Sequence, residues 1–229
     1  MGPTDQGRIR HRSIKRARLV VENTMNHRLF TLGHSTMQAT AFLDVLQRFG
    51  IKLVIDVRSK PQSFRFPQFD QAELKEILST GGISYLFMGE ELGGRPDDPK
   101  AYADDGLMDY RARRKSRSFQ DGTDRVLKEL VESALVLLCA EEDPLNCHRF
   151  LMICPELVSV GVEPYHIRKG GILETQQEAE DRLLQSQQLA AVAGASLFSF
   201  DREAALEKAY VVQSKKCAFR IDPRVLEPW

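Results

Sequence analysis

The sequence predicts an α/β fold: a mostly parallel sheet of about five strands with helices on both faces, followed by a helical C-terminal extension. Three observations predict it. Between residues 28 and 168, short branched apolar runs alternate with segments of helical periodicity, and parallel strands need crossovers of that kind. The runs themselves, IKLVID and ALVLL among them, are close to continuously apolar, as in strands covered on both sides. A chain of 229 residues, 42% of them hydrophobic, can bury one good core with additions.

RLFTL, ending at Leu32, is the first core strand and runs into Gly33-His34-Ser35. A helix over about 39–49 follows, because Phe42, Leu43, Leu46 and Phe49 recur at helical spacing and Gly50 closes the pattern. IKLVID is the second strand. It exits into Val57-Arg58-Ser59-Lys60-Pro61, and Pro61 cannot continue a ladder. A loop holding Phe64, Phe66 and Phe69 leads to a helix over about 71–79, with Asp70 as N-cap. Residues 83–88 form the third strand, and GEELGGRPDDP a long polar loop. The stretch 102–132 reads as mostly helical, with the Arg-rich RARRKSR in its middle. Residues 134–138 are the fourth strand, 147–159 a helix and 163–167 the fifth strand. Beyond Gly170-Gly171 the chain turns Gln-rich, with helices over 174–190 and 201–210. The domain reading is a basic leader over 1–28, an α/β core over 29–170 and a helical extension over 171–229.

Charge excludes little, since Lys+Arg and Asp+Glu balance at 32 each; any basic patch must be local. Four cysteines in a chain this long do not form a disulfide framework and fit a reducing compartment. No apolar run reaches the roughly 20 residues of a membrane helix, and no apolar stretch follows the basic N-terminus as in a signal peptide. The expectation is a soluble, cytoplasmic protein. The leader reads as a disordered tail, as a nucleic-acid arm built on Arg8, Arg10, Arg12, Lys15, Arg16 and Arg18, or as the product of a start codon before the true one at Met25.

Ligands of parallel sheets bind outside the carboxyl ends of the strands, so the residues released there are the candidates. The first strand releases His34 and Ser35, the second Asp56, Arg58 and Ser59. The third releases Glu90, Glu91 and Arg95, the fourth Cys139, Glu141, Glu142 and Asp143, and the fifth His166, Arg168 and Lys169. LLCAEEDPLNCHR is the densest of these segments. Cys139 ends a strand and reads as a core residue. Asp143-Pro144 or Asn146 starts the next helix. Cys147, His148 and Arg149 then fall in its first turn, where free N–H groups and the Arg149 fork suit an anion. Glu141 or Glu142 is either a general base or a salt-bridge partner of Arg149. Cys147 at a helix start is a candidate nucleophile, opposed by the nearby acids. A metal site from Cys139, Cys147 and His148 is not expected, because neighbours on a helix point apart. Asp56 and Arg58 read equally as a structural ion pair. The three phenylalanines read as a packed loop or as stacking faces for a base, and RARRKSR as a solvated helix face or a phosphate contact.

In order along the chain, TLGHST, IDVRSKPQSFRFPQF, ELGGRP, LLCAEEDPLNCHR and Tyr165-His166-Ile167 resemble the bacterial family known as domain of unknown function 488, over about residues 29–168. The resemblance implies recurrent residues at His34, Ser35, Asp56, Arg58, Pro61, Gly93, Gly94, Arg95, Cys139, Asp143, Cys147, His148 and Arg149, and no substrate. A weaker similarity to rhodanese-like and thiol-phosphatase domains rests on Asp56-Val57-Arg58 and Cys139, but the path from that cysteine to Arg149 is longer and more acidic than the tight loop of those folds.

The functional expectation is an enzyme acting on a phosphate-bearing ligand, a nucleotide or nucleic acid. Arg58, Arg95 and Arg149 bind phosphate, Ser35, Asp56, Ser59 and Asp143 complete the binding set, and His34, Glu141, Cys147 and His148 carry the chemistry. No cofactor is expected, a divalent metal remains an option, and no membrane partner is expected. The alternatives are a nucleic-acid-binding module without catalysis, for which the resemblance offers an association with DNA repair, and thiol chemistry at Cys147.

Overall fold

Successive side chains of a strand point to opposite faces, and this sheet is apolar on both. In the computed structural model, which describes residues 27–189 and 199–226, the elements are β1 (Leu29–Gly33), α1 (Ala39–Arg48), β2 (Leu53–Asp56), α2 (Gln71–Thr80), β3 (Ser84–Phe87), the short α3 (Gly89–Leu92), α4 (Tyr110–Lys115), α5 (Arg117–Glu132), β4 (Leu135–Cys139), α6 (Cys154–Ser159), β5 (Pro164–Arg168), β6 (Ile172–Thr175), α7 (Gln176–Ser186) and α8 (Ser199–Cys217). The basic leader and the Met25 reading lie outside the described residues, apart from His27 and Arg28. No helix among the described residues is long and apolar enough to cross a membrane.

The fold is α/β as the alternation requires, with six strands in the order β3-β2-β4-β1-β5-β6. Every neighbouring pair is parallel except β5 and β6. Phe30, Leu32, Val54, Val136 and Leu138 pack one face against Phe42 and Leu46 of α1 and Leu74 and Leu78 of α2. Leu29, Leu53, Ile55, Leu135 and Leu137 pack the other against α5, α6, α7 and α8.

This division of helices places the site. The chain leaves β1 over the α1 face and leaves β4 over the opposite face, yet β1 and β4 are neighbours, with Gly33 beside Cys139. Their departing loops diverge and open a crevice at the carboxyl ends. The loop after β4 then folds back across the end of β1. A Cβ on Gly33 would lie 1.6 Å from the carbonyl oxygen of Glu141, so only glycine permits the crossing.

Three local expectations are corrected. The segment after Gly170-Gly171 does not begin as a helix: both glycines have positive φ (77° and 72°), and the turn they allow sends Ile172–Thr175 back as an antiparallel edge strand. The helix starts at Gln176, where Thr175 and Glu178 form a capping box. The stretch 102–132 is mostly helical, as expected, and divides into α4 and α5 because Ser116 is extended and caps α5. Cys147 is not in a helix: its backbone is extended (φ −133°, ψ 141°), and a π-helical turn, Arg149–Ile153, leads into α6. Among the described residues the last helix also runs further than 201–210, to Cys217.

Candidate functional site

A cavity of about 920 Å³ opens at the carboxyl ends of β1, β2 and β4. Cys139 and Cys147 line its floor and are 4% and 2% exposed. Because Cys147 is extended, its side chain and that of His148 converge on Cys139 instead of diverging. His148 Nδ1 is 3.8 Å from each sulfur. Its Nε2 lies 3.0 Å from the Val57 carbonyl. A carbonyl only accepts, so Nε2 carries a proton and donates it to Val57, which turns Nδ1 toward the sulfurs. Glu141 Oε2 sits 2.9 Å from Cys139 Sγ and 3.2 Å from Cys147 Sγ.

The electrostatics of this floor are those of a coupled cluster. The hydrogen bond with Cys147 and burial hold the Cys139 thiol well above the usual value. Burial alone would raise Cys147 too, but the Cys139 hydrogen bond and the charges of Arg149 and His148 outweigh it and hold this thiol low. Burial, then Cys147, pushes Glu141 up.

Arg149 does not form the expected anion fork. It is 1% exposed and faces inward. Nη1 and Nη2 donate to the Glu141 and Glu142 carbonyls at 2.6 and 2.8 Å, and Nε to Thr31 Oγ1 at 3.3 Å. Neither glutamate carboxylate pairs with it; the arginine holds the loop by its backbone. Thr31 in turn lies 2.8 Å from His166 Nδ1, and His166 Nε2 lies 3.1 Å from Gln176 Oε1, so His166 serves the core rather than the cavity.

Asp143 is corrected in the same way. Its oxygens take two 2.8 Å bonds from Arg182, and one of them caps Leu145 N–H at 3.0 Å. Arg168 joins the cluster through Glu142 and Glu174. Asp143 ties the loop to α7 and does not line the cavity. Asp56 is likewise consumed: it is fully buried and takes Arg58 Nε at 2.9 Å, Arg58 Nη2 at 2.6 Å and the Tyr85 hydroxyl at 2.8 Å. Arg58 spends Nη1 on the Phe69 carbonyl at 2.9 Å. Of the three arginines expected to hold phosphate, Arg58 and Arg149 are thus engaged within the fold.

His34 stacks on the buried Phe69 ring, centroids 4.1 Å apart. Its Nδ1 lies 3.1 Å from the Ser35 carbonyl and its Nε2 3.3 Å from Arg58 Nη1, so the Nε2 lone pair is already engaged. Burial and Arg58 push it down to about 4. It is a neutral wall of the cavity that orients Arg58. Ser35 beside it has φ 45°, an uncommon conformation for a residue with a side chain. Ser59 Oγ accepts the Arg95 N–H at 2.9 Å and shapes the rim.

The rim itself is cationic. Lys60, Arg65 and Arg95 line the cavity, and none has a carboxylate partner among the described residues. Glu141 is the one acidic side chain among the described lining residues. The Arg95 guanidinium lies 4.6 Å over the Phe219 ring, so the segment after α8 completes the wall, together with Cys217 and Arg220. Phe64 stands on the rim 98% exposed, whereas Phe69 is core. The RARRKSR run is dispersed: Arg111 pairs with Glu207, Arg117 with Asp121, and buried Arg113 donates to the Glu90 and Glu91 carbonyls. Sequence reasoning missed Lys60, Arg65, Tyr110, Cys217 and Phe219 as cavity residues. The signal for the first two was present, since they follow the second strand; nothing local marked the others.

Fold and site together define a doubly wound α/β protein with a cysteine–histidine floor under a cationic rim. The chain belongs to the family described as Domain of unknown function DUF488, which matches residues 38–153. The matched segment contains Cys139, Glu141, Cys147 and His148; β1 with His34 precedes it and α8 follows it. Comparison with curated proteins and with solved structures finds no match.

Proposed function

We propose that the protein is an enzyme that takes an anionic, phosphate-bearing ligand of nucleotide size into the cavity and acts on it at the floor where Cys139, Glu141, Cys147 and His148 converge. The observation that carries this reading is the pairing of cations without carboxylate partners among the described residues with reactive groups in one space. Lys60, Arg65 and Arg95 lack carboxylate partners among the described residues, and an uncompensated cationic cleft concentrates anions. The volume of about 920 Å³ fits a ligand of that size. Calorimetric titration with nucleoside phosphates and with inorganic phosphate tests it. The expected result is binding that weakens at least about tenfold in Arg95→Ala or Lys60→Ala, the loss of one charge-assisted contact. Binding that ignores both variants, or no binding, overturns it.

A second reading has its own observation. Phe64 is 98% exposed between Lys60 and Arg65, an aromatic face flanked by cations, as single-stranded nucleic acid requires. It predicts oligonucleotide binding that falls steeply with salt and with Phe64→Ala. Equal binding by Phe64→Ala removes it.

A further inference from the structure

We propose that Cys139, Cys147 and His148 bind one zinc ion, leaving a fourth coordination position open to the cavity. The assignment concerns the same floor but does not depend on which ligand enters above it. The three donor atoms, two Sγ and Nδ1, lie within 4.8 Å of one another, a grouping of metal-ligating kind among the described residues. With Zn–S of about 2.3 Å and Zn–N of about 2.0–2.1 Å, a tetrahedral ion needs S···N edges of about 3.5 Å. The 3.8 Å separations on both sides of Nδ1 come within a few tenths of an ångström of that edge.

The imidazole is oriented for the task. Metal-binding histidines donate their other N–H to an outer oxygen, which fixes the tautomer. Here the Val57 carbonyl at 3.0 Å accepts from Nε2 and leaves Nδ1 facing the two sulfurs as the ligating atom. The ring is also held in place: a Cβ on Gly94 would come within 3.1 Å of Nδ1, so the Gly94 backbone packs directly against it. Arg149 braces the loop between the ligands through the Glu141 and Glu142 carbonyls. A donor set of two thiolates and one imidazole prefers zinc to magnesium or calcium, which take oxygen ligands. Two thiolates bring two negative charges, which match those of the ion.

The site is of the open kind. Three protein ligands with a free position characterise catalytic zinc, whereas structural sites close with four. The fourth direction faces the cavity, which all three residues line. Glu141 is the neighbouring carboxylate. Its Oε2 lies 2.9 and 3.2 Å from the sulfurs, nearer than the edge of about 3.5 Å expected of a bound oxygen ligand.

The test uses the full chain purified under reducing conditions without chelator. Its metal content is measured, and the metal-free chain is titrated with Co2+ and followed by absorption. The expected result is one zinc per chain, and a Co2+ spectrum with sulfur-to-metal charge transfer and intense tetrahedral bands. Cys139→Ser, Cys147→Ser and His148→Ala each lose stoichiometric metal, whereas Cys217→Ser and Glu141→Gln keep it. The wild-type Co2+ spectrum keeps the proposal falsifiable where a ligand variant fails to fold. A weak octahedral spectrum overturns it. So does alkylation of Cys139 and Cys147 at the same rate with and without zinc, or their joining in a disulfide that zinc does not prevent. Phosphate binding is read separately through Arg95→Ala, so failure of one assignment is distinguishable from failure of the other.

Discussion

Nδ1 of His148 lies 3.8 Å from Sγ of Cys139, nine positions earlier in the chain. The contact exists because Cys147 is extended and because Gly33 lets the intervening loop cross the end of β1. The floor is therefore a product of loop geometry, and the loop is where its stability is most open to test.

Arg149→Met is expected to cost about 3 kcal/mol or more. It leaves the Glu141 and Glu142 carbonyls and the Thr31 hydroxyl without a donor in a buried space. Urea unfolding measures this. A midpoint equal to wild type would return Arg149 to the role of a free anion ligand.

Two glycines separate crowding from backbone strain. Gly33→Ala drives a Cβ into the Glu141 carbonyl at 1.6 Å and is expected to destabilise by roughly 3 kcal/mol or to displace the loop. Gly50→Ala meets nothing within 4 Å but has φ 65°, and is expected to cost about 1 kcal/mol. Thermal melts of the two variants rank the effects; the reverse order would contradict the loop crossing.

His166 makes stability pH-dependent on the acid side. It is fully buried and held at about 4 by burial first and by the Arg149 charge second, with Gln176 and Glu174 favouring the charged form and Arg168 opposing it. Its folded value is below its unfolded value of about 6.5, so the unfolded chain binds the extra proton. The contribution is fully present above pH 6.5 and is lost as pH falls toward 4. A shift of that size corresponds to roughly 3 kcal/mol. Denaturant unfolding of wild type and His166→Gln from pH 7 to pH 4 checks it: the variant's stability should fall less steeply. Parallel slopes would exclude His166 as the source.

Phe219 positions Arg95 across 4.6 Å. A cation–π contact at a partly exposed site contributes about 0.5–1 kcal/mol, so Phe219→Ala should weaken phosphate-ligand binding roughly two- to fivefold. Calorimetry on a variant shown to melt near wild type measures it. Unchanged affinity would mean that the C-terminal segment closes the wall without tuning the rim.

Much of the frame was legible from local pattern. Phe42, Leu46, Leu74 and Leu78 announce their helices by spacing, and Leu53–Asp56 and Leu135–Cys139 announce buried strands by unbroken apolarity. Ile172–Thr175 was not legible, because four residues at an edge, with Ile172 67% exposed, have no apolar pattern of their own. The break at Ser116 was hidden inside the basic run Arg113-Arg114-Lys115-Ser116-Arg117, which has no apolar period to interrupt.

By itself the sequence determined the alternation of strands and helices, the two apolar faces and the pole at which the polar residues gather. Those properties follow from periods of two and 3.6 residues, which are read within one turn or one strand. Only the tertiary structure decided which of those polar residues are available. Arg149 is engaged by Thr31 across 118 positions, Asp143 by Arg182 across 39 and His148 by the Val57 carbonyl across 91. A side chain's chemistry is set by the partner that reaches it first, and that partner is chosen by chain crossing, which no local period records.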